Sequence, residues 1–216
     1  VKIQAVLFDC DGVLVDSEPL SKGLLLTMIT ELGIEHDLGQ RLISVSSQRM
    51  SDCLDNVAEW LQRPLPGDFL EQFRQREYVL LRQQLQPIPG IHSALQRLTL
   101  PRAVASNGSM EKILINLDST GLRHHFGEHL YSAYDLDRHK PDPALYLHAA
   151  AQLGIEPAAC LVVEDSPFGA EAGLRAGMTV VGYGEQRFSL QQMGTLPLAD
   201  MAQLPDLINA LATDNQ

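Results

Sequence analysis

The chain has 216 residues, 45% hydrophobic and 20% charged, which supports a buried core in one domain, or in a main domain plus a smaller one, and excludes a disordered or low-complexity polymer. A net charge of -11 without any Lys/Arg-rich tract argues against nucleic acid as a partner, because contact with a phosphate backbone needs positive surface. The three cysteines, Cys10, Cys53 and Cys160, are scattered and suit neither a disulfide framework nor a metal knuckle; with no run of 18 apolar residues and no leader-like start, a soluble cytoplasmic protein with no membrane partner is expected.

The first element is a short apolar run, residues 3–8, rich in Val, Ile, Leu and Phe, and it reads as a buried strand. It ends abruptly in Asp9 and Asp11, at the strand edge where ligands bind in open parallel sheets. Two carboxylates this close repel each other. Oxygen donors without His or Cys partners suit a hard cation such as Mg²⁺. Gly12 gives the backbone room to turn away. Cys10 stands beside Asp9, but no neighbour in sequence activates it as a nucleophile.

Residues 19–85 read as helical throughout. Leu20, Leu24, Leu25, Met28, Ile29 and Leu32 recur at helical spacing, and Gly33 is a stop. Further helices are expected at 50–61 and 69–84, separated by the break at 64–67. A βαβ crossover does not need this much helix. The economical organisation is a core of residues 1–15 and 86–216 interrupted by a helical insert of residues 16–85.

After Pro87, Pro89 and Gly90, helix and strand alternate. Helices are expected at 91–98, 110–117, 143–153, 169–176 and 204–211, and strands at 103–105, 130–132, 160–163 and 179–181. This rhythm indicates an α/β fold: a Rossmann-like, mostly parallel sheet flanked by helices, with a small inserted helical domain.

Three later loops answer the first. Ser106-Asn107-Gly108-Ser109 follows a strand and precedes a helix; read alone it is an N-cap and turn, but its hydroxyl and backbone N–H groups also suit a phosphate. Lys140 stands before Pro141 and Pro143, in a stiff segment that poises its ammonium, with Asp142 and Pro143 opening a helix. Glu164-Asp165 ends an apolar strand, and Ser166-Pro167 fits the cap and first residue of a helix. Acids, a hydroxyl and a lysine thus fall at the ends of successive strands.

These four stretches resemble the haloacid dehalogenase-like hydrolase superfamily. Asp9-Cys10-Asp11-Gly12-Val13, Ser106-Asn107, Lys140-Pro141 and Glu164-Asp165 match its motifs in order, and the helical insert resembles the cap of its beta-phosphoglucomutase-like branch. The resemblance implies a Mg²⁺-dependent phosphomonoesterase with an aspartyl-phosphate intermediate. Asp9 would be the nucleophile, Asp11 the acid–base group, and Lys140 the cation that neutralises and orients. Asp9, the Asp11 carbonyl, Asp165 and, directly or through water, Glu164 would hold the metal. Ser106 and the Asn107 backbone would bind phosphoryl oxygens. Ser44, Ser47, Gln48 and Arg49 would meet the leaving group from the cap. The carboxylate of Asp11 and the Glu164-Asp165 pair argue against the metal-free dehalogenases, and Lys22 is the one lysine that could serve a phosphonatase-like imine. The alternative is a sugar phosphomutase. Ser21 stands where the mutases carry a His, and residues 43–47 lack their Gly and closely matching Arg, which favours hydrolysis. A small sugar or sugar-acid phosphate, such as a phosphogluconate-like ester, is the expected substrate. A monomer is expected, with a homo-oligomer left open.

Overall fold

The computed structural model describes residues 2–33 and 50–213. Six strands form one parallel sheet: β1 (Ala5–Phe8), β2 (Arg102–Ser106), β3 (Leu130–Ser132), β4 (Cys160–Glu164), β5 (Thr179–Tyr183) and β6 (Leu196–Leu198). Their spatial order is β3-β2-β1-β4-β5-β6, so β1 lies between β2 and β4. In that register Leu7 is opposite Ala103 on one side and Val162 on the other.

The α-helices among the described residues are α1 (Glu18–Glu31), α2 (Met50–Leu61), α3 (Phe69–Gln84), α4 (Ile91–Arg97), α5 (Met110–Ser119), α6 (Ala133–Leu136), α7 (Ala144–Leu153), α8 (Pro167–Arg175), α9 (Arg187–Gln192) and α10 (Leu204–Thr213). The chain divides into two compact units, Val1–Asp16 with Gln86–Gln216 and the insert Ser17–Leu85.

The sheet is apolar on both faces because helices cover both, which is why its strands read as continuous apolar runs. Ala5, Leu7, Ala103, Ala105, Cys160, Val162 and Val180 line one face and pack with Leu145, Tyr146, Ala149 and Ala150 of α7 and Ala170 and Ala172 of α8. Alternation turns Val6, Phe8, Val104, Leu161, Val163 and Val181 to the other face, also buried. There the rings of Phe8 and Phe126 meet edge to face, with centroids 5.8 Å apart. Burying each such side chain stabilises the fold by about 1.5–3 kcal/mol.

In the insert, Leu25, Met28, Ile29, Leu54, Val57, Phe69 and Phe73 bring α1, α2 and α3 around a separate core. Ser21 Oγ donates to the buried Glu77 at 2.5 Å. The insert is the helical cap, and the Rossmann-like sheet with its flanking helices is the core.

The structure departs from the sequence reading in several places, among them the short α6 at Ala133–Leu136, which that reading leaves out, and the start of α8 at Pro167 rather than Gly169. The apolar pattern from 182 to 203 is too short and interrupted to announce an element, yet α9 and edge strand β6 form there. Helix α7 begins at Ala144 rather than Pro143: Pro143 occupies the cap position, and Asp142 Oδ1 accepts from the Ala144 N–H at 2.9 Å. Among the described residues, no helix is long and apolar enough to cross a membrane.

Candidate active site

Three adjacent strands end side by side and deliver the site. Asp9 follows β1 and its N–H donates to the Val163 carbonyl at 3.0 Å, so the sheet ladder itself fixes its backbone. Ser106 closes β2 and Glu164 closes β4; both are buried. Adjacent strands lie about 4.8 Å apart, which sets the spacing of the side chains they carry.

Lys140 comes from the loop after α6, and its ammonium is buried between two carboxylates. It donates to Asp9 Oδ1 at 2.5 Å and to Glu164 Oε1 at 2.6 Å. Its backbone is held by the Asn107 side chain, whose Oδ1 accepts from the Lys140 N–H at 2.9 Å. Asn107 therefore ties the loop after β2 to the lysine loop, a task its place in the sequence does not disclose. Ser106 Oγ accepts from the Gly108 N–H at 3.0 Å, and Ser132 Oγ donates to the Gly108 carbonyl at 2.7 Å, which shapes the turn before α5.

Glu164 is satisfied from every side. Besides Lys140, the Tyr146 hydroxyl donates to its Oε1 at 2.6 Å. Its Oε2 accepts from the Asp165 N–H, the Ser166 N–H and Ser166 Oγ at 3.1, 3.3 and 3.1 Å. Ser166 Oγ also accepts from the Gly169 N–H at 3.1 Å, so one serine caps α8 and anchors the glutamate. Asp165 faces Gly12, whose φ of +80° and missing side chain leave room for the carboxylate; a methyl there would overlap it.

The electrostatics follow from one buried ammonium serving two buried carboxylates. Burial, with Glu164 and Asp11 adding repulsion, outweighs the attraction of Lys140 and pushes Asp9 up to about 7. Lys140 is pulled the other way: desolvation opposes its charge, but Asp9 and Glu164 together hold it above its usual value. Burial and the nearby acids raise the Tyr146 phenol well above its ordinary range, so it remains a hydrogen-bond donor. Cys10 is fully buried and its thiol is likewise pushed well up, which removes it as a nucleophile.

Carboxylate oxygens of Asp9, Glu164 and Asp165 all lie within 4.8 Å of one another. The donors are hard oxygens crowded around too little positive charge, which fits Mg²⁺. Both Glu164 oxygens already accept hydrogen bonds from the protein.

The structure thus brings Asp9, Ser106, Asn107, Lys140, Glu164 and Asp165 to one edge of the sheet. Asp11 lies in the turn beside them, where its Oδ1 accepts from the Asn116 side chain at 3.2 Å. Ser44, Ser47, Gln48 and Arg49 lie outside the described residues. Sequence reasoning missed Tyr146, which donates to Glu164, and Asn116 and Lys112, which both meet Asp11 Oδ1, the latter at 3.3 Å. The available signal was a polar residue on an apolar helical stripe: Asn116 falls between Ile113 and Leu117, and Tyr146 beside Leu145 and Ala149.

Residues 3–177 match the family described as haloacid dehalogenase-like hydrolase. A 6-phosphogluconate phosphatase of Escherichia coli (strain K12) is 35% identical over 180 residues, covering 83% of this chain and 81% of that protein. Hexitol phosphatase B of the same organism is 33% identical over 188 residues, covering 82% of each. A crystal structure of a haloacid dehalogenase-like protein from Agrobacterium tumefaciens superposes with a TM-score of 0.85 at 33% identity, covering 97% of this chain and 99% of the other.

Proposed function

Since the chain belongs to the haloacid dehalogenase-like hydrolases, we propose that this phosphatase hydrolyses a small sugar or sugar-acid monophosphate through a phosphorylated Asp9. The observation that carries the reading is the buried Asp9–Lys140–Glu164 triad with Asp165 beside it, at the ends of adjacent strands.

Asp9 attacks phosphorus in line, and the ester P–O bond breaks as an acyl-phosphate bond forms. Asp11 gives its proton to the leaving oxygen. In the second half it takes a proton from water, whose oxygen attacks phosphorus, releasing orthophosphate and restoring the Asp9 carboxylate. Lys140 holds the Asp9 oxygen and offsets the charge of the incoming phosphoryl group. Ser106 and the backbone of Asn107 bind phosphoryl oxygens. Asp9, Asp165 and the Asp11 carbonyl would hold Mg²⁺, with Glu164 supporting them chiefly through Lys140 and the Asp165 backbone. Bound there, Mg²⁺ supplies Lewis-acid charge stabilisation for the transferring phosphoryl group.

The substrate class draws support from the names of the two relatives above, a 6-phosphogluconate and a hexitol phosphatase. In the cap, Ser44, Ser47, Gln48 and Arg49 are proposed to select the leaving group. The test is phosphate release from a panel of monoesters with and without Mg²⁺, with Asp9→Asn in parallel. We expect 6-phosphogluconate and hexitol phosphates to lead the panel, and Asp9→Asn to lose at least about 10³-fold in kcat. Parent-level activity in Asp9→Asn would refute the nucleophile. Nucleotides outrunning every sugar ester would refute the substrate class, and isomerised sugar phosphate without phosphate release would identify a mutase.

A further inference from the structure

We infer that Asn116 and Lys112 are positioning residues that fix the Asp11 carboxylate for proton transfer to the leaving oxygen. This rests on the reading of Asp11 as the acid–base group. Both residues lie on α5, four positions apart and therefore on one face of the helix. Asn116 is fully buried; its Nδ2 donates to Asp11 Oδ1 at 3.2 Å and, more weakly, to Cys10 Sγ at 3.6 Å. Lys112 Nζ lies 3.3 Å from the same Asp11 oxygen. The other oxygen, Oδ2, faces Gly108: a Cβ built on that glycine would stand 3.7 Å from Oδ2 and 3.3 Å from Ser106 Oγ. Asn116 and Lys112 thus both meet Oδ1, which fixes the plane of the carboxylate, while Oδ2 lies on the side of the Ser106–Gly108 turn.

Packing does not account for the asparagine. Its neighbours along the helix, Ile113, Ile115 and Leu117, are buried and apolar. The Asn116 side-chain oxygen is itself buried without a hydrogen-bond partner. A half-satisfied buried amide costs stability, whereas a leucine of similar size would gain it. What the amide does accomplish is its bond to Asp11. Lys112 adds the positive charge, and the Asp11 side chain keeps 25% of its surface exposed, so a substrate oxygen can still reach it.

The test compares kcat/KM for the parent, Asn116→Leu and Lys112→Met on two esters with saturating Mg²⁺: 6-phosphogluconate, whose alkoxide must be protonated on leaving, and 4-nitrophenyl phosphate, whose phenolate leaves unprotonated. For both esters kcat/KM reports the steps through phosphoryl transfer to Asp9. A general acid contributes about 10²–10⁴-fold, so a mispositioned one should cost the alkyl ester at least about tenfold more than the aryl ester. Asn116→Leu should meanwhile melt at or above the parent temperature, which a structural role could not produce. Equal losses on both esters, or no loss on either, would overturn the inference. Should Asn116→Leu fail to fold, the stability argument falls, and the ester comparison in Asn116→Ser and Lys112→Met decides the positioning role. If the parent hydrolyses neither these two esters nor any other monoester of the panel, the fault lies with the phosphatase reading itself.

Discussion

Glu164 and Asp9 share one ammonium, and the imbalance makes a statement about pH. Asp9 is raised from 3.8 to about 7, so between those values the folded protein keeps a proton that the unfolded chain has released. Its contribution to stability is fully present below pH 3.8 and is lost as pH rises through 7. Lys140 is also raised, but its contribution is lost only in strong base, so it does not oppose this trend near neutrality. Without metal, the difference in melting temperature between Asp9→Asn and the parent should grow in favour of Asn from pH 5 to pH 8. Added Mg²⁺ should raise the parent's melting temperature more at pH 8 than at pH 5, because the metal competes with that proton. Thermal scans at the two pH values with and without Mg²⁺ check both; a flat difference would show that Asp9 is not the group under strain. At this scale the sequence disclosed the residues that end apolar strands. Asp9, Glu164 and Asp165 stand where a run of buried side chains stops, and that contrast is visible in one dimension. Tyr146, Lys112 and Asn116 act from helices that reach the strands only in three dimensions, and each also reads as an ordinary helical residue.

Helix α8 shows how an element can be shaped by one side chain outside it. Its N-terminus carries Ser166 at the cap and Pro167 in the first turn, both readable as a helix start. Gly169 then looks like a weakness, since alanine would favour the helix by about 1 kcal/mol. The structure reverses the sign: a methyl at Gly169 would overlap the Glu164 carboxylate. Gly169→Ala should therefore destabilise by about 1–3 kcal/mol, the usual cost of overpacking, and should lower kcat by displacing Glu164 from Lys140. Gly173, where a methyl would stand 2.8 Å from the Val180 side chain, offers a comparison. Gly173→Ala should cost stability while leaving kcat closer to the parent; denaturant unfolding and initial rates separate the two. The strong periodicities at 50–61 and 69–84 forecast their helices closely, because helix length and apolar spacing agree there. The three-residue β6 and six-residue α9 are too short for a period to develop; β6 is placed by pairing with β5, and α9 by burying Leu190 in the core that holds Val180.

For the molecule as a whole, the decisive arrangement is how the chain leaves and re-enters the sheet unit. The outgoing and returning segments run side by side: the Asp16 N–H donates to the Gln86 carbonyl, and the Ile88 N–H to the Leu14 carbonyl, each at 2.9 Å. Val15 and Pro87 form an antiparallel bridge between them. The sheet unit also has its own core, in which the apolar faces of β1, β2 and β4 are covered by helices of that unit. We therefore expect a chain with residues 17–85 replaced by a two-residue glycine link to fold cooperatively, with the circular dichroism of a parallel α/β protein and a single unfolding transition. A chain that remains unfolded would show that the insert is needed to complete the sheet unit. The paired segments thus work as a socket. Since the gap they span is one hydrogen bond wide, the size and shape of whatever is plugged into it are unconstrained by the sheet. On the proposed function, the carboxylates at the strand ends and the insert proposed to choose among esters can then change independently, so that one chemical engine can be refitted for different cargo.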